Sequence, residues 1–154
     1  MFHSPFSKSL TALAVASALN ISPALAEDRH DDVFSRIATF PVFLNTAIDQ
    51  PTVAEIVAAS EDGNILVYTD SSGGKIGFVD ITDPAHPQPL GTVAVGGEPT
   101  SVAVVGNYAL VAVNTSPSFV APSGKLLVVN ITTHSIVSTI DLGGQPDAVA
   151  ISPD

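Results

Sequence analysis

The chain has 154 residues, 15 Asp and Glu against 5 Lys and Arg, a formal charge of −10, and no Cys or Trp. That acidity argues against a nucleic-acid backbone or an anionic lipid surface as partner, since both select basic patches. The absence of cysteine excludes disulfides, zinc–thiolate and iron–sulfur sites and thiol nucleophiles, and 45% apolar with 13% charged residues is too hydrophobic for intrinsic disorder.

Residues 1–26 read as a signal peptide. A short start carries Lys8 and no acid, residues 10–19 form an apolar core, and Ala24 and Ala26 supply the small side chains at −3 and −1 of a cleavage site. The apolar run is too short to cross roughly 30 Å of hydrocarbon, so no stable membrane span is expected after a cut behind Ala26. The expected destination is the periplasm or the outside of a bacterium. Residues 27–35 form an acidic lead-in, in which Asp28, His30, Asp31 and Asp32 read as a solubilising segment rather than a cation site.

From residue 36 the pattern is short Val- and Ile-rich runs separated by Gly, Pro, Asn, Asp and Ser, which is the signature of strands and turns. Residues 36–43 resemble an outermost strand without its companions. Strands are then predicted over 55–60, 65–69, 76–81 and 91–95, and again over 101–105, 109–113, 126–131 and 137–142. Residues 83–89, with three prolines, are expected to be a stiff surface loop, and 147–154 to open a further unit.

The mature chain repeats itself. Gly96-Gly97-Glu98-Pro99 recurs as Gly143-Gly144-Gln145-Pro146, 47 residues on, and the segment from Lys75 to Thr82 recurs from Lys125 to Thr132, 50 residues on. The segment 65–70 overlays 109–114 at a spacing of 44, and the drift to 50 is absorbed by an insertion at residues 115–122. An ordered repeat near 45 residues with four strands per unit is the spacing of a β-propeller blade. The predicted fold is therefore all-β: an incomplete propeller over 36–154, with blades at 55–95 and 100–142 and a third beginning at 147. Propellers close with roughly four to eight blades, so the expected partners are missing downstream blades of the same protein or another copy.

Residues 75–93, a strand ending in Asp-Ile-Thr-Asp-Pro followed by a Pro-rich link and Gly-Thr-Val, resemble the LVIVD-type repeat. Residues 125–154 are similar to the YVTN-type surface-protein repeat. Residues 54–63 resemble the opening of bacterial exported propellers of the choice-of-anchor and phytase-like esterase group. The resemblance implies a propeller fold but serves scaffolds, binders and hydrolases alike. In phytase-like relatives it implies Ca²⁺ held by clustered carboxylates. No residue of this chain matches such a cluster, so the resemblance assigns no catalytic residue.

The overlay places Glu55, Thr100 and Asp147 at equivalent positions, the start of each innermost strand beside the channel. Polar groups there could hold Ca²⁺ or an oxygen-rich ligand, since hard cations take oxygen ligands from several elements; solvated strand starts are the simpler alternative. Asp70, Asp80 and Asp83 are expected to cap turns. His86 and His134 stand alone, without metal-ligand spacing. No Ser lies in Gly-x-Ser-x-Gly, and Gly73-Gly74-Lys75 lacks the rest of a phosphate loop. The reading that follows is an exported binding or scaffold module. The alternatives are the N-terminal part of a calcium-dependent phytase-like esterase or phosphatase, and a surface-layer or adhesion component.

Overall fold

A computed structural model describes residues 35–152. The signal peptide expected over residues 1–26, the acidic lead-in up to residue 34, and Pro153 and Asp154 lie outside the described residues. Eight strands follow a single 3₁₀ turn at Val42–Asn45: β1 (Ala54–Ala59), β2 (Ile65–Asp70), β3 (Lys75–Asp80), β4 (Gln88–Ala94), β5 (Glu98–Val105), β6 (Tyr108–Asn114), β7 (Gly124–Asn130) and β8 (Ser135–Asp141). They form two four-stranded antiparallel meanders, β1-β2-β3-β4 and β5-β6-β7-β8. Each is a propeller blade, and the fold is all-β.

Alternation of side chains along each strand gives each blade two apolar faces. Register pairs Ala58 with Val67, Val67 with Phe78, and Ile76 with Val93, so these residues share one face of the first blade. In the second, Val102 pairs with Val111 and Val111 with Leu127, while Ala109 pairs with Val129. The two faces meet in one core, in which Val67, Ile76, Phe78, Val111, Val113 and Val129 are fully buried. Burying a side chain of this size contributes roughly 1.5–3 kcal/mol. Stacked sheets that bury apolar residues on both faces require the near-continuous Val and Leu runs seen in Leu126-Leu127-Val128-Val129.

Irregularities repeat along with the strands. The first strand of each blade shifts register near its start, between Ala54 and Val57 and between Pro99 and Ser101. The third shifts against the fourth between Phe78 and Val79 and between Val128 and Val129. The Gly-Gly-x-Pro linkers have a common geometry too. Gly96 and Gly143 adopt φ of 64° and 66°, which favours glycine. The linker backbone also runs close to Gly74 and Gly124: a Cβ on Gly74 would meet Gly97 O at 3.2 Å, and one on Gly124 would meet Gly144 O at 2.5 Å.

Two expectations from the sequence are corrected. Residues 36–43 form no strand: the chain runs extended and then turns through Val42–Asn45. A strand needs a hydrogen-bonding neighbour, and these residues instead lie over the first blade's outer face, sharing apolar grooves through Ile37, Phe40 and Val42 with Leu66, Tyr68 and Val79. Residues 147–152, where a third blade is expected to begin, carry no ladder among the described residues; the segment is seated on β5 by Thr100 Oγ1 donating to Pro146 O (3.0 Å) and Val149 N donating to Ser101 Oγ (3.2 Å). The 83–89 loop is also shorter than expected, because β4 already begins at Gln88. Pro89 is tolerated there because β4 is the outermost strand of its sheet.

Candidate functional site

Register brings one row of residues to the end of the blades where the inner strands begin. Ala54, Asp70, Lys75 and Ala94 line up across the first blade, and Glu98, Asn114 and Gly124 across the second. The equivalent positions Asp70 and Asn114 organise this end differently. Asp70 is fully buried; its Oδ1 accepts from Val53 N (3.0 Å) and Gly73 N (2.9 Å), and its Oδ2 lies 3.9 Å from the buried Lys75 Nζ. The carboxylate ties residue 53, the turn and the start of β3 together. In the second blade Asn114 Oδ1 accepts from Ser116 N (2.9 Å), and its Nδ2 donates to Glu98 Oε2 (3.0 Å). The buried ion pair of one blade is replaced by an exposed amide–carboxylate pair in the next.

Glu55 and Thr100 fall within the equivalent register shifts of β1 and β5. Glu55 is exposed, Thr100 half-buried and Asp147 exposed. The Thr100 hydroxyl reaches Pro146 O, so Thr100 and the residue before Asp147 are brought together. Among the described residues, no three His, Asp or Glu side chains converge as a metal site would require.

The insertion in the second copy makes a groove at this same end. β2 and β3 are joined by residues 71–74, whereas β6 and β7 are joined by 115–123. The longer loop is cross-braced: Thr115 N donates to Ser123 O (3.1 Å), Ser116 Oγ donates to Ser123 O (3.1 Å) and accepts from Ser123 N (2.9 Å), and Ala121 N donates to Ser118 O (3.1 Å). Its tip presents Phe119 and Val120 fully to solvent. Between tip and sheet lies an open groove of about 530 Å³, lined by Glu98, Asn114, Ser116, Phe119 and Gln145 among others. The sequence signalled the insertion but not that its apolar tip stands in water.

The remaining candidates have structural roles. Asp80 Oδ1 accepts from Thr82 N (2.8 Å), and hydrogen bonds from the Thr82 side chain and backbone hold its carboxyl below the usual range. Asp83 accepts from Ala85 N (3.0 Å), and His86 Nδ1, 2.8 Å from its Oδ2, lowers it similarly. The His134 ring stacks on Phe78 at 4.1 Å and 13°, joining the β7–β8 turn to the other blade. At the opposite end of the blades, Gly106 N donates to Glu61 Oε1 (2.7 Å), a second tie between them.

Comparison with known proteins places this geometry. Residues 55–154 match the model of the choice-of-anchor I domain. Among solved structures, the chain is similar to Kuenenia stuttgartiensis hydrazine synthase, at 23% identity and a TM-score of 0.55, over 65% of this chain and 27% of that one. It is also similar to Myxococcus xanthus glutaminyl cyclase, at 17% identity and a TM-score of 0.46, over 66% of this chain and 41% of that one. The chain thus spans less than half the length of either. No curated protein matches it. The hydrazine synthase likeness supports the fold alone; the family assignment comes from the domain match, which covers both blades and the segment beyond them, and the chain belongs to the choice-of-anchor I domain family.

Proposed function

We propose that the chain is the blade-bearing part of an exported bacterial cell-surface protein and acts as a binding or scaffold module. The observation that carries this is the match of residues 55–154 to a choice-of-anchor domain, a family named for attachment. The signal-peptide pattern of residues 1–26 supports export, with the mature chain beginning at Glu27. Further blades of the same protein complete the ring: Val57 on the first blade is 60% exposed and Ile140 on the second is 47% exposed, which suits faces awaiting neighbouring sheets. Glu55, Thr100 and Asp147 then lie at one mouth of the channel, where they contribute polar groups to ligand recognition.

The test is expression in a bacterium with the native leader, followed by fractionation and N-terminal sequencing. The expected product starts at Glu27 and is retained on the cell envelope. A cytoplasmic product that keeps Met1 would overturn export. Calcium-dependent turnover of a phosphate ester, lost in Glu55→Ala or Asp147→Ala, would replace the binding role with the esterase alternative.

A further inference from the structure

We infer that the groove beside the 115–123 loop binds neutral glycan chains, with Phe119 as the stacking platform and Gln145, Glu98 and Ser116 as hydrogen-bonding groups. This deepens, and rests on, the binding-module reading above. The loop is present in one blade and missing from its twin, so blade formation does not require it. Its bracing is directed at the tip: the Thr115 and Ser116 bonds to Ser123 close the base, and the Ser118–Ala121 bridge closes the turn. A flexible loop would fold an exposed phenyl ring back onto the apolar sheet. This one holds Phe119 and Val120 at 102% and 92% exposure, and a rigid, pre-exposed ring loses little freedom when a ligand covers it.

The chemistry beside the ring selects the ligand. Asn114 engages one Glu98 oxygen; the other oxygen and the Gln145 amide supply acceptors and donors, and the Ser116 hydroxyl, its proton committed to Ser123 O, keeps one acceptor lone pair. A sugar offers C–H faces for an aromatic ring and hydroxyl edges for amides and carboxylates, which is the same alternation. No Lys or Arg is among the residues lining the groove, and the chain carries a formal charge of −10. Anionic polymers are therefore repelled.

The test is affinity electrophoresis of the mature chain through gels containing dextran, laminarin or soluble starch, with titration calorimetry on oligosaccharides of whichever polymer retards it. Phe119→Ala and Gln145→Ala should each weaken binding by about tenfold, the effect of losing one good contact. Val137→Ala, on exposed β8, should leave it unchanged, and 0.5 M salt should have no effect. Equal retardation of wild type and Phe119→Ala, no retardation by any of these polymers, or salt-sensitive binding to polylysine in their place would overturn the glycan site. So would a large drop in the melting temperature of Phe119→Ala, which would make the ring a packing contact. Envelope retention that persists in Phe119→Ala leaves the binding-module reading standing while removing this one, so the two fail separately.

Discussion

The Asn45 amide holds the first blade at its irregularity. Its Nδ2 donates to Phe78 O (2.8 Å) and to the Tyr68 hydroxyl (3.1 Å), and its Oδ1 accepts from Gly91 N (2.8 Å). Phe78 and Gly91 face each other where β3 shifts register against β4, so a side chain supplies the bonding the ladder lacks there. Leaving a buried backbone group unpaired costs about 1–3 kcal/mol, and Asn45→Ala strands two. The expected loss is about 3 kcal/mol in urea unfolding. Asn45→Asp should not rescue it, because a carboxylate has no donor for Phe78 O. His134 gives a second prediction at this scale. Burial pushes its pKa below the ordinary 6.5, with a hydrogen bond to the Ile131 backbone opposing. The folded form thus binds the proton less well than the unfolded chain. Stability is fully present above the unfolded pKa and declines as pH falls through about 6.5 towards the folded value. His134→Phe keeps an aromatic ring on Phe78 and should remove this component. The melting temperature of wild type should fall more than that of the variant between pH 8 and 5.5, and parallel curves would refute the assignment.

At the level of the element, a linker glycine and the glycine that opens β7 carry different expected costs. Gly143 needs its positive φ, but a Cβ there meets nothing within 4 Å. Gly143→Ala should therefore cost only the left-handed strain, about 1–2 kcal/mol. Gly124 has an ordinary φ, yet a Cβ would run into Pro146, Gly144 O at 2.5 Å and Val113 O at 3.0 Å. Gly124→Ala should be clearly the more damaging of the two in thermal unfolding, because backbone cannot give way as a side chain can. Gly143 sits in a motif whose recurrence is visible in the sequence and Gly124 directly precedes one; all eight strands are visible too, since period-two apolar runs between turn residues are a local signal. The reason for the second glycine was not legible, because the approach of the β6–β7 connection to the next linker is a tertiary fact. The same limit explains residues 36–43. Their composition reads as strand, but strand status depends on a partner that one segment's residues cannot reveal. The stack of His134 on Phe78 joins residues 56 apart in different blades, and a lone His in a turn carries no sign of it.

For the molecule as a whole, the two blades cover one face each and leave the other pair to different fates. The first blade's outer face is partly roofed by residues 35–45, through Phe40, Val42 and the Asn45 clamp. Among the described residues, the second blade's outer face receives only the 145–152 segment, fixed at Thr100 and Ser101, and Ile140 beyond it stays 47% exposed. Hydrophobic association acts wherever such area is left uncovered, while a charge of −10 opposes the approach of two copies. The balance can be moved from both sides. At low salt, repulsion should hold the isolated chain apart; at about 0.5 M salt the Debye length drops below roughly 8 Å and the apolar faces should bring copies together. Sedimentation across this salt range should show association growing with ionic strength. Ile140→Lys, which puts a charge on the uncovered face, should suppress it, and so should Val57→Lys, because Val57 is still 60% exposed on the first blade's outer face. Association that weakens with salt, or that is indifferent to Ile140→Lys, would show that charge pairing rather than the open blade face drives contact between copies.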